Sequence, residues 1–317
     1  MRRRLAAVAA GAVPVVGLVA SWGLGAVDGD SSTASVASTS PAVRTATTSS
    51  STAAPATPAA PPVTTTHTLD VGGVKREWLH TVPAAGVTAT TRILVVLHGR
   101  AVTPQQEAQR DGFLQLVAPD NLELVYPTGV GASWNAGGCC GQAAQSGVDD
   151  IAFLRALATA IDPQHAHTVT LVGYSNGGRM AYAVACQSPS IVEGFAIVGA
   201  LPLPSCTVAQ PVTLLQAAGT ADDVVPFVAP APAANVTAQV AALRSLDNTA
   251  PTPATWQSGA LIMSTWTSSS TQTRIGLAAY QGGTHAWPSG GAATPSAAEV
   301  ILRFFSTGTT HGSSRAT

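Results

Sequence analysis

The chain has 317 residues, of which 46% are hydrophobic and only 10% charged, with a formal net charge of -1. It holds a single lysine, Lys75, and scattered arginines, so no basic stripe is available for nucleic acid and no acidic tail for cations. Its length is ample for one domain around a single core, and nucleic-acid binding is set aside.

Residues 1–27 carry an address. Met1-Arg2-Arg3-Arg4 is positive, and Leu5 to Val27 is an almost unbroken run of small apolar residues. This is the pattern of an export signal, and it predicts a secreted protein. The run is also long enough to cross a bilayer, so an uncleaved anchor facing outward is the alternative. Pro14 and the glycines favour cleavage, although no clean small-x-small site stands out.

Residues 28–66 are dominated by Ser, Thr, Ala and Pro, with too few large apolar groups to offset chain entropy by burial. They are expected to form a disordered linker spanning roughly 35 Å root-mean-square. Such a tether would hold a domain off a membrane or cell wall. The folded domain is expected over residues 67–307, followed by a disordered tail over 308–317.

Leu69 to Val82 alternates around Gly72-Gly73, which predicts a hairpin. Ile93 to Leu97 is a short continuous apolar run, as in a strand buried on both faces. Pro104 to Val117 is helical in pattern, with Thr103 as N-cap, and Leu122 to Val125 is a further strand. Asp149 to Ile161 places Phe153, Leu154 and Leu157 on one helical face. Strands follow at Thr168 to Val172, Phe195 to Val198 and Val212 to Gln216, with a helix through Met180 to Cys186 and another at Ala297 to Phe305. Ala229 to Thr273 shows no clear period. Strands alternating with helices predict an α/β fold, a mostly parallel central sheet with helices on both faces.

Gly173-Tyr174-Ser175-Asn176-Gly177 joins a predicted buried strand to a predicted helix. Gly-x-Ser-x-Gly in that setting is a nucleophile elbow, in which the two glycines permit a turn too tight for side chains. The turn lifts Ser175 to the helix N-terminus, where N–H groups and the dipole favour developing negative charge. A serine needs a base to take its proton, and in α/β-hydrolases the partners follow in the order Ser, acid, His. His285 fits that position, because it lies shortly before the last helix. His165 and His167 precede the serine, and His311 lies in the tail. The acid should follow the strand ending at Gln216, where Asp222 and Asp223 are the candidates and Asp222 is preferred. His98-Gly99-Arg100 fits an oxyanion loop, with the backbone N–H groups of Arg100 and Asn176 as donors and His98 as a structural hydrogen-bonding residue. Each such donor contributes about 3 kcal/mol to the transition state.

These segments, taken together, resemble the polyhydroxybutyrate depolymerase and feruloyl esterase-like esterases. The likeness runs from about Val95 to Phe305. It rests on Leu97-His98-Gly99, Tyr126-Pro127-Thr128-Gly129, Ser133-Trp134-Asn135-Ala136-Gly137, Cys139-Cys140 and Gly147-Val148-Asp149-Asp150. It also rests on the serine elbow, Gly219-Thr220-Ala221-Asp222 and Gly283-Thr284-His285-Ala286-Trp287-Pro288. The resemblance implies an α/β-hydrolase fold in one catalytic domain, and it assigns the acid to Asp222. It implies hydrolysis of hydroxy-acid esters or of feruloyl and acetyl esters on polysaccharide. The chain departs from the pattern at Arg100, where the group often has cysteine, and at Ala218, where it often has histidine.

Trp134 and Trp287 are candidates for the substrate pocket. The expected partner is an ester, polymeric esters included, acted on by a monomer. No metal-ligand spacing appears, so neither a metal nor any other cofactor is expected. Two rivals use the same residues differently: a serine peptidase of the same fold, and a cell-surface binding module without catalysis.

Four cysteines in an exported chain permit disulfides in three pairings. Cys186 ends the helix after the serine, and Cys206 follows the next strand. Their Cα atoms can therefore reach the roughly 4.4–6.8 Å a bridge requires. Cys186–Cys206 is the expected structural bridge, and a vicinal Cys139–Cys140 bridge its companion.

Overall fold

The computed structural model describes residues 60–230 and 233–306. The expected export signal or anchor over 1–27, the expected linker as far as residue 59 and the expected tail over 308–317 lie outside the described residues.

The first hairpin joins β1 (Val63–Val71) to β2 (Val74–Val82) through Gly72 and Gly73, at φ 57° and 78°. That turn needs left-handed backbone twice in succession, which glycine adopts at no steric cost. β1 begins at Val63, inside the stretch read as linker, and this corrects the expected start of order at residue 67. Thr64, Thr65 and Thr66 match the linker's composition, yet they are β-branched and pair with Thr81, His80 and Leu79.

The chain continues through β3 (Arg92–Leu97), α1 (Pro104–Arg110), β4 (Leu122–Pro127), α2 (Gly141–Ser146), α3 (Asp150–Ile161), β5 (Val169–Tyr174) and α4 (Asn176–Gln187). It closes with β6 (Gly194–Val198), β7 (Leu214–Gly219), α5 (Val236–Leu246), β8 (Ala254–Ser258), β9 (Leu261–Thr267), β10 (Arg274–Tyr280) and α6 (Ala297–Ser306). Thr103 caps α1 through a capping box with Gln106. The helix expected to reach Val117 ends at Arg110 instead, because Gly112 takes φ 85° and Phe113–Leu116 continue only as a 3₁₀ turn.

The ten strands among the described residues form one sheet in the order β1-β2-β4-β3-β5-β6-β7-β10-β9-β8. The centre, from β4 to β10, is parallel, and an antiparallel hairpin flanks it on each side. Strand alternation divides the core into two layers. Ile93, Val95 and Leu97 join Phe153 and Leu157 of α3 and Met180 of α4 on one face. Leu94 and Val96 face Phe113 and the Val300, Ile301 and Phe304 side of α6 on the other. The segment without a clear period contains α5 and the β8–β9 hairpin, whose edge strand leaves its residues partly exposed.

A buried ion pair and two disulfides tie further segments together. Asp150 binds Arg76 at 2.7 Å and accepts the Asn135 N–H at 2.7 Å, with all of Asp150 buried. Burial pushes this carboxyl up, and the Asn135 N–H and the Arg76 charge oppose the shift. Disulfides join Cys186 to Cys206, with Cα atoms 5.7 Å apart, and Cys139 to Cys140.

Candidate active site

β5 ends against the sheet centre and the chain turns at once into α4, with Ser175 at φ 52° and ψ -112°. A non-glycine residue in that conformation stores about 1–3 kcal/mol, which the surrounding packing must hold. A Cβ at Gly173 would strike the Gly177 carbonyl, and one at Gly177 would strike that of Leu97. The two glycines therefore let α4 approach β3 and β5 closely enough to form the turn.

Three side chains from three loops meet here. Ser175 Oγ lies 3.0 Å from His285 Nε2, and His285 Nδ1 lies 2.9 Å from Asp222 Oδ2. The other oxygen of Asp222 accepts the N–H groups of Val224 at 2.9 Å and Val225 at 2.7 Å. Asp223 is exposed, with no such role. The acid and histidine loops are stitched together by Ala221 N–H to the Gly283 carbonyl and Gly282 N–H to Thr220 Oγ1, both at 2.9 Å.

The loop expected to carry the oxyanion donors, His98-Gly99-Arg100, is held by buried polar groups. Gly129 N–H donates to His98 Nε2 at 3.0 Å, so the ring's other nitrogen carries the proton and donates to the Gly99 carbonyl at 2.8 Å. Burial pushes the His98 imidazole below the usual histidine range, consistent with that neutral tautomer. Glu107 is fully buried and accepts the Gly99 N–H at 3.1 Å. Arg110 binds both Glu107 oxygens and lies over the Tyr174 ring at 4.4 Å. Burial pushes the Glu107 carboxyl up, opposed by Arg110. Neither the Arg100 nor the Asn176 backbone N–H has a hydrogen-bond partner among the described residues, and both residues line the cleft at Ser175.

That cleft has a volume of about 500 Å³. A hollow of about 540 Å³ between α3 and Ser190–Val192 is slightly larger but contains none of the three converging groups.

The two tryptophans are corrected. Trp134 is fully buried: its Nε1–H donates to the His98 carbonyl, and its backbone pairs in both directions with the Asn176 side chain. Trp287 is buried against Tyr174 and Phe113 and donates to the Asp111 carbonyl at 3.0 Å. Both brace the site from behind and neither lines the cleft. Glu107, Arg110 and Arg179 went unnoticed in the sequence. Only Arg179 had a local signal, a spacing of four from Ser175 on the same helix.

The parallel sheet, covered on both faces and carrying a serine on its central strand-to-helix turn, is an α/β-hydrolase fold. Solved structures share it. An acetyl xylan esterase from Aspergillus awamori superposes with a TM-score of 0.53 at 13% identity, over 76% of this chain and 99% of that one. A mutant of the feruloyl esterase module from Clostridium thermocellum, complexed with sinapinate, superposes with a TM-score of 0.53 at 12% identity, over 81% and 92% of the two chains. In sequence, the chain is 30% identical over 175 residues to NocK of Nocardia uniformis subsp. tsuyamanensis, a protein that carries an esterase name. The match covers 52% of this chain and spans only half the length of that relative. No family model matches the chain.

Proposed function

We propose that this chain is a serine hydrolase of carboxylic esters, exported and acting outside the cell. The observation that carries the proposal is the hydrogen-bonded series Ser175–His285–Asp222, set on a strained elbow at the mouth of a cleft. Ser175 Oγ attacks the ester carbonyl while His285 Nε2 takes its proton. Asp222 keeps the ring oriented and stabilises the imidazolium through Nδ1–H. The Arg100 and Asn176 N–H groups receive the oxyanion. His285 then protonates the departing alcohol, which leaves an acyl group on Ser175, and a water activated by the same histidine releases the acid.

Polyhydroxyalkanoate-type esters and feruloyl or acetyl esters of polysaccharide are the substrates carried over from the family resemblance. An N-terminal tether would suit a surface-bound polymer. The test is hydrolysis of a panel of p-nitrophenyl, feruloyl and hydroxybutyrate esters by the wild type, Ser175→Ala and His285→Ala. Each substitution should lower kcat/KM by at least ~10³-fold with circular dichroism unchanged, because the two residues act as a unit. A folded Ser175→Ala protein that keeps its activity would overturn the proposal.

A further inference from the structure

The cleft at Ser175 carries more positive charge than the acyl-transfer steps use. Arg100, Arg110 and Arg179 line it, and among the described residues no carboxylate does. Arg110 is neutralised by Glu107. Arg100 and Arg179 have no ion-pair partner among the described residues. Asp222 is taken up by His285 and two backbone N–H groups, and Asp223 is exposed and does not line the cleft.

Arg179 is the more telling of the two. It stands in the first turn of α4, half-buried, with Nη1 donating to Cys139 Sγ at 3.1 Å. A disulfide sulfur is a weak acceptor and cannot balance a guanidinium. The N-terminal end of a helix also repels a cation. A charge held in that position is stabilised when an anion enters, through charge-assisted and often bidentate bonds.

We infer that the site takes esters whose acyl chain ends in a carboxylate, with Arg179 and Arg100 binding that carboxylate while the ester carbonyl lies at Ser175. The chemistry is unchanged: a half-ester and water give a dicarboxylic acid and an alcohol. The inference rests on the serine-esterase reading and names the class of substrate for it.

The test compares matched pairs, p-nitrophenyl hydrogen adipate against p-nitrophenyl hexanoate, and the suberate against the octanoate. The wild type should prefer the acid of at least one pair by about tenfold or more in kcat/KM at low salt, with the ratio shrinking as salt screens the charges. Arg179→Gln should bring that ratio towards one, and Arg100→Gln should lower it. A wild-type ratio near one in both pairs, or a ratio unchanged in both variants, would overturn the inference. Calorimetric binding of monomethyl adipate against methyl hexanoate to Ser175→Ala protein decides the same point without turnover: preferential binding of the acid supports the inference, and equal binding overturns it. Failure to hydrolyse any of the four esters would count against the serine-esterase reading, and the calorimetry would still decide the anion site.

Discussion

The Tyr174 hydroxyl donates to the His285 carbonyl at 3.1 Å, and the two rings stack with centroids 5.6 Å apart. The residue before Ser175 therefore fixes the loop that carries His285, the proposed base. Arg110, which also lies over this ring, connects the same contact to Glu107 and the Gly99 loop.

Tyr174→Phe keeps the ring and removes the tether. The expected cost is about 1 kcal/mol of stability, the usual net worth of one hydrogen bond. kcat should fall roughly 3- to 10-fold with KM little changed, since a loosened base costs most where it must be aligned. Steady-state kinetics beside a thermal melt check this, and an unaltered kcat would show that the hydroxyl does not position His285.

Asp111 gives a pH prediction. Burial raises its carboxyl from 3.8 to about 7, against the opposing Phe113 N–H. Its second oxygen and the neighbouring Tyr126 hydroxyl are buried without a well-formed hydrogen bond. The folded protein therefore holds this proton up to about pH 7, while the unfolded chain releases it near pH 4. The folded state binds more protons across that window, so stability falls as pH rises through it. Asp111→Asn imitates the protonated form and keeps the acceptor for Phe113. It should match the wild type at pH 4 and exceed it at pH 8 by an amount on the order of 1–3 kcal/mol. Urea melts at the two pH values measure this, and equal differences at both would remove Asp111 as the cause.

The Cys186–Cys206 bridge closes a loop of 20 residues between the end of α4 and the segment after β6. In the chain-entropy model such a loop contributes about 3 kcal/mol, so replacing both cysteines should lower the melting temperature by about 6–12 °C. The folded double variant should retain the proposed ester hydrolysis at the wild-type level, since neither sulfur lines the cleft. A melting temperature that does not move would mean the bridge constrains little in the unfolded chain.

Much of the sheet was legible because buried parallel strands read as short apolar runs, as Ile93 to Leu97 does. Ser175, Asp222 and His285 were legible for a different reason. Tight turns demand glycine, and Gly173, Gly177, Gly219 and Gly283 bracket all three loops that the structure brings together. Other features left no such mark. A tryptophan beside a motif has the same letters whether its ring faces solvent or core, and Trp134 and Trp287 turned inward. Thr64 to Thr66 became a strand only because β2 offered them partners. The charge of the cleft was hidden because Arg100, Arg110 and Arg179 come from separate segments, and only the fold brings them together.

The central claim is that Ser175 is a nucleophile activated by His285. Its most direct test is peptide mass spectrometry of the folded protein after treatment with a fluorophosphonate, which adds covalently to activated serines. The account predicts one adduct per chain, on the peptide containing Ser175, with labelling abolished in His285→Ala. An adduct on another serine, or none in protein shown to be folded, would contradict it.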